Sequence, residues 1–205
     1  MVKRTSFALA LSVFILLSSL NCEKTSCSPG TPLSKPLTAL GILQADLPKN
    51  FEVCFSPEEP CDVKLAKFVQ SAQKSLDIAV FDINLDKVVH EVLVASRKIP
   101  VRVLVDKRQA KGPHSLVALL VKAGASVRFG RQRGVMHNKF TIVDGKMIET
   151  GSFNYTNHAA TSNSENQIYL SEPSVVERYK KRFEVIWAKG KVATLGALTK
   201  AKRDN

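Results

Sequence analysis

The sequence predicts an α/β fold, a mixed β-sheet sandwiched by helices. Three observations lead there. From about residue 51 onward, short β-branched runs alternate with stretches of helical spacing. One tight Asp-Gly turn between two such runs adds an antiparallel pair to what would otherwise be a parallel sheet. The 205 residues are 44% hydrophobic and 23% charged, which suits one globular domain with a proper core and excludes a wholly disordered chain.

The elements follow in order. Phe51–Phe55 is a short β run, and Asp62–Ser75 carries Val63, Leu65, Ala66, Phe68, Val69 and Ala72 at helical spacing. Leu76–Phe81 reads as a strand. Leu85–Ser96 reads as a helix with Val88, Val89, Val92 and Leu93 on one side. Val101–Val105 is a strand, Ser115–Ala123 a helix ending at Gly124, and Val127–Phe129 a short strand. Lys139–Val143 and Met147–Thr150 are strands joined through Asp144-Gly145, a hairpin signal. Gln167–Leu170 is a further strand. Glu172–Lys189 is a closing amphipathic helix with Val175, Val176, Tyr179, Phe183 and Ile186 inward, stopped at Gly190.

Segments outside this pattern have other uses. Residues 1–21 have the form of a signal peptide: Lys3 and Arg4, then an apolar run over Phe7–Leu17 too short to span a bilayer. Cys22 stands where a lipidated cysteine would, although Leu20 and Asn21 depart from the usual pattern; ordinary cleavage nearby and an uncleaved anchor are the alternatives. Export to the periplasm or outside the cell is expected, with a membrane anchor if Cys22 is lipidated. Residues 22–49, rich in Ser, Thr, Pro and Gly, read as a tether to a domain over 50–190, and 191–205 as a frayed basic tail. The formal charge is +12, and removing residues 1–21 takes away Lys3 and Arg4 only, leaving +10. Such a surface suits anionic partners, whether nucleic acid or anionic lipid.

Chemistry concentrates in one stretch: His137, Lys139, Asp144, Gly151, Ser152 and Asn154, spaced HxKx4Dx6GSxN. Six fixed residue types at fixed offsets arise by chance in a chain of this length on the order of once in a million. His137 and Lys139 are two residues apart in extended chain and share a face. Ser152 and Asn154 have the same offset at the end of the next strand, and the hairpin folds the two pairs together. An imidazole, an ammonium, a hydroxyl and an amide then converge. Three can hold phosphate oxygens and the fourth can act as nucleophile or proton carrier. No carboxylate cluster stands there to bind a metal.

The motif resembles the HKD signature of the phospholipase D superfamily, and specifically its small branch with one motif per chain, which includes bacterial exported endonucleases and mitochondrial cardiolipin hydrolase. The resemblance covers roughly residues 50–190, including Asn163-Ser164-Glu165-Asn166. It implies a phospholipase D-like fold and a phosphodiesterase that needs no metal or other cofactor. His137 would attack phosphorus to form a phosphohistidine, and a second motif histidine would protonate the leaving oxygen. With one motif per chain, that second histidine would be His137 of another subunit in a homodimer sharing one site. Lys139, Ser152 and Asn154 would bind the phosphate, and Glu165 would accept a hydrogen bond from the histidine's far nitrogen. Asp144 counts with the catalytic set as a motif member, but the turn points it away from the histidine face toward a structural task.

Other residues are read more plainly. His90 and His114 receive no role, beyond His114 bordering the cleft, and His158 is a helix-start residue. Arg128, Arg131 and Arg133 lead into the motif and read as phosphate-backbone contacts, with Lys107, Arg108 and Lys111 extending the patch. Arg178, Lys180, Lys181 and Arg182 form the exposed face of the closing helix. Cys54 and Cys61 are read as a disulfide closing a small loop, with zinc the lesser reading, while Cys27 stays free or pairs with Cys22. The leading substrate reading is nucleic acid, DNA or RNA, cleaved with little sequence preference. Phospholipid or cardiolipin is the alternative.

Overall fold

The computed structural model describes residues 51–130 and 134–199. The segment 1–21, Cys22, Cys27, the tether, Arg131, Arg133 and residues 200–205 lie outside them. The described chain runs through β1 (Phe51–Ser56), α1 (Cys61–Gln70), β2 (Leu76–Val80), α2 (Asp86–Ser96), β3 (Val101–Val105), α3 (Lys107–Ala110) and α4 (Val117–Lys122). It continues through β4 (Ser126–Phe129), β5 (Lys139–Val143), β6 (Met147–Gly151), α5 (Asn157–Thr161), β7 (Glu165–Leu170), α6 (Pro173–Lys189), β8 (Lys191–Val192) and α7 (Leu195–Thr199).

The eight strands form one mixed sheet in the order β1-β7-β6-β5-β2-β3-β4-β8. β2, β3 and β4 are parallel, and every other pairing is antiparallel. Parallel neighbours need a crossover; α2 supplies it between β2 and β3, and the α3–α4 segment between β3 and β4. β2 (LDIAV) and β3 (VRVLV) are almost wholly apolar because side chains on both faces are covered.

Two apolar cores result, one per face. On one, Leu65, Val69, Val88 and Val92 of α1 and α2 meet Ile78, Val80, Val103 and Val105. On the other, Val176, Phe183 and Ile186 of α6 meet Ala79, Leu104, Phe140, Ile142 and Ile148. The exposed side of α6 carries Arg178, Lys180, Lys181 and Arg182, as the periodicity predicts. Cys54 and Cys61 form a disulfide that ties edge strand β1 to the start of α1.

The structure departs from the sequence reading in three places. α1 stops at Gln70, five residues early, because the backbone N–H groups of Gln73, Lys74 and Ser75 bond to Asp144 rather than to helical carbonyls. α3 and α5 span four and five residues, too short to show a period. The expected frayed tail also begins too early: β8 pairs with β4, and Ala193 and Leu198 join the core beside α4. The folded unit therefore runs at least to Thr199.

Candidate active site

β5 and β6 are joined by Asp144, Gly145 and Lys146; Asp144 and Gly145 have positive φ (56° and 65°), and the Lys146 N–H closes the turn on the Val143 carbonyl at 2.9 Å. This fixes the register Phe140 to Thr150 and sets the start of β5 beside the end of β6. β7 pairs next, with Gly151 opposite Gln167. The start of β5, the end of β6 and the start of β7 thus meet at one rim of the sheet.

His137 lies in the extended chain just before β5 and is exposed, while Lys139, the first residue of β5, is buried. Lys139 Nζ lies 3.0 Å from Nδ1 and 3.2 Å from Nε2 of His137, and donates to the His137 carbonyl at 3.2 Å. Burial pulls the Lys139 ammonium below its ordinary range, and the charge of Glu165 pulls the other way. Among the described residues no carboxylate comes within ion-pair distance of Lys139. Phe81 stands there instead. Its ring centre is 4.7 Å from that of His137 and 5.6 Å from Lys139 Nζ, so one aromatic face contacts both groups.

Ser152 Oγ donates to Glu165 Oε2 and accepts from the Asn166 backbone N–H at 3.1 Å. Asn163 Nδ2 donates to Glu165 Oε1 at 3.0 Å. Gly151 is required by close approach: a Cβ there would stand 2.0 Å from the Asn166 carbonyl oxygen, which the Ser152 N–H also reaches. Asn154 is half-buried, and its Oδ1 is buried without a hydrogen-bond partner.

Five of the six predicted groups therefore gather at one rim: His137, Lys139, Ser152, Asn154 and Glu165. Two details differ. Among the described residues Glu165 bonds Ser152 and Asn163, not the His137 of its own chain. Asp144 does not join the site. It sits at the opposite end of β5, where its carboxylate accepts the N–H groups of Gln73, Lys74 and Ser75. Although a member of the motif, it clamps backbone there, in the direction the turn predicts.

The arginine patch is also revised. Arg128 lies over the Trp187 ring at 4.6 Å and donates to the Trp187 carbonyl at 2.8 Å, a structural task at the β4 edge. His90 pairs with Glu91, His158 sits at the start of α5, and His114 is exposed in the loop before α4.

Two features escape sequence reasoning. Phe81 ends an apolar strand run and looks like one more core residue. The other is a buried polar chain under the rim: the Tyr155 hydroxyl donates to Glu149 at 2.6 Å and also bonds Thr141. Burial pushes the Glu149 carboxyl up to about 8, against the hydrogen bond from Tyr155. The backbone of Tyr155 bonds Asp82, Asn84 and Leu85, which locks the Ser152–Asn154 segment to the one carrying Phe81.

The chain has recognisable relatives. Residues 65–187 match the family model described as "Cardiolipin synthase, PLD-like domain". The mitochondrial cardiolipin hydrolase of Chlamydomonas reinhardtii is 36% identical over 121 residues, 58% of this chain and 54% of that protein. The human mitochondrial cardiolipin hydrolase is 33% identical over 152 residues, 74% of this chain and 60% of that protein. This chain thus spans less than two thirds of the length of these relatives. Among solved structures, Nuc from Salmonella typhimurium, a phospholipase D family member, superposes with a TM-score of 0.66 at 26% identity, covering 70% of this chain and 97% of Nuc. With the HKD spacing, the rim geometry and these matches in agreement, the chain belongs to the phospholipase D superfamily, in the branch that carries one HKD motif per chain.

Proposed function

We propose that the protein is a phosphodiester hydrolase that works through a phosphohistidine and takes nucleic acid as its substrate. The observation that carries the reading is the exposed His137 imidazole packed against a buried lysine with no carboxylate partner. An ammonium in that position is free to bind a phosphate oxygen, and the imidazole beside it is placed to attack phosphorus.

The chemistry balances in two displacements. A ring nitrogen of His137 forms a bond to phosphorus as the P–O ester bond breaks, and the leaving oxygen takes a proton from a second imidazole. That imidazole then removes a proton from water, the water oxygen bonds to phosphorus, and the P–N bond breaks. Lys139, Ser152 and Asn154 hold the non-bridging oxygens and offset the developing charge. The lysine supplies the positive charge, so no step calls for a metal. Glu165 is the acceptor that fixes an imidazole tautomer in the assembled site. Each chain brings one HKD histidine, so the second imidazole is His137 of the partner subunit in a two-fold dimer. The two imidazoles need opposite protonation, which gives a bell-shaped dependence of kcat/KM on pH.

The basic charge of the chain suits nucleic acid, as it also suits an anionic lipid surface. The names of the relatives favour a second reading, hydrolysis of cardiolipin or another phospholipid, and a Rickettsia conorii protein called phospholipase D is 30% identical over 128 residues. The test is incubation of the protein, with EDTA, with plasmid, single-stranded RNA and cardiolipin-containing vesicles. Degraded nucleic acid beside intact lipid is expected. The reverse pattern moves the assignment to lipid, and loss of all turnover in EDTA rejects the metal-free route.

A further inference from the structure

Asp106 is a buried carboxylate that joins two distant segments. Its Oδ1 accepts the N–H groups of Arg108 at 2.9 Å and Gln109 at 3.3 Å, capping the short α3 turn. Its Oδ2 accepts the N–H of Met136 at 3.1 Å, across thirty positions of sequence. Met136 immediately precedes His137, and Lys107 immediately follows Asp106. One hydrogen bond therefore links the segment that carries His137 to the turn that begins with Lys107 and Arg108. Both side chains are exposed, and among the described residues neither has a hydrogen bond or ion pair. Two part-buried arginines, by contrast, are committed: Arg102 to Asp77 and Glu184, and Arg128 to Trp187.

We infer that the α3 turn is a second phosphate-binding subsite, in which Lys107 and Arg108 take phosphates flanking the one held at His137. The inference rests on the proposed function and deepens it by naming the side chains that hold the substrate's flanking phosphates. A single-phosphate head group ends at Lys139, and cardiolipin carries only one phosphate more. A polynucleotide carries a further charge at each step along its backbone, and two unpaired cations held at a fixed place beside the nucleophile match that repeat. Asp106 serves as the clip: three backbone donors hold its buried carboxylate in place and tie the α3 turn to the segment that carries His137. The subsite reads backbone and not base, so it supplies register without sequence preference.

The test uses the full chain carrying His137→Asn, which binds without cutting, and a fluorescein-labelled single-stranded oligonucleotide followed by anisotropy across a salt series. Adding Lys107→Gln and Arg108→Gln is expected to raise Kd about tenfold near 0.1 M salt and to flatten the log–log salt slope by about 1.4. A charge-matched control, Lys180→Gln with Lys181→Gln on α6, is expected to leave both unchanged. The inference is overturned if the α3 variant behaves like the control, or if it loses affinity for cardiolipin vesicles while keeping the oligonucleotide. Turnover of bis(p-nitrophenyl) phosphate by the unsubstituted chain is read separately. Its absence would sink the phosphodiesterase reading while the binding data still decide the subsite.

Discussion

The two ends of the β5–β6 hairpin belong to one motif and behave in opposite ways. At the turn, Asp144 has a full set of partners: three backbone N–H groups converge on its carboxylate. Partial burial would raise that carboxyl, and the three donors outweigh it and hold the group below the usual range. At the rim, Ser152 and Glu165 are hydrogen-bonded to each other, but three other polar groups are left with fewer partners. Lys139 is buried without a carboxylate, Asn154 keeps a buried oxygen unbonded, and His137 is exposed. The satisfied carboxylate stabilises the fold, whereas the rim groups left short of partners can still take up a ligand. Sequence spacing lists both ends together, and hydrogen bonding separates them.

The largest expected effect falls at the rim. His137→Asn should fold normally, since the side chain is exposed, and lose at least about a thousandfold in turnover of any phosphodiester. Near-normal turnover would remove the imidazole from the chemistry altogether.

The middle of the hairpin sharpens the contrast through Glu149. Its carboxyl is held at about 8 in the folded chain against an ordinary 4.5. A raised folded value means full stability below about 4.5 and progressive loss as pH rises through 8. Glu149→Gln has no such group, so the gap between variant and parent should widen by about 1.4 kcal/mol per pH unit in that window, or about 3 kcal/mol between pH 5 and 7.5. Urea melts at the two pH values check this, and a gap that stays constant would mean that Glu149 is ionised throughout.

At the turn, Asp144→Ala should cost about 2 kcal/mol of stability by orphaning the donors at the end of α1, while turnover at 25 °C stays within about twofold. Because the folded carboxyl sits low, the stabilisation is present above about pH 4 and fades as pH falls below it. A thousandfold loss of turnover in a stably folded Asp144→Ala protein would restore that residue to the catalytic set and erase the comparison.

Much of this was legible in the sequence, for physical reasons that also mark where legibility stops. β2, α2, β3 and α6 announce themselves because a buried strand or an amphipathic helix must repeat its apolar positions over several residues. α3 and α5 are set by side-chain caps, Asp106 and Thr156, which leave no period to read. β8 and α7 were hidden by the basic residues around them, although Ala193 and Leu198 are the ones that bury. At the site, the spacing from His137 to Asn154 names the reacting groups because chemistry requires those types. What holds them, Phe81 and the Asn163–Glu165–Ser152 chain, uses residue types that are commonplace elsewhere.

The smallest expected effect tests whether the lack of a counter-ion at the rim is itself functional. An acidic partner for Lys139 would compete with substrate phosphate for the ammonium, whereas an aromatic face attracts the cation more weakly and yields it to an anion. Phe81→Leu keeps much of the apolar volume and removes the π face, and Phe81→Tyr keeps the ring. The leucine variant should fold and lose about tenfold in kcat with a smaller change in KM. The tyrosine variant should recover most of that loss. Equal losses in both variants, or a loss confined to KM, would reduce Phe81 to filler and leave Lys139 to be positioned by its strand alone.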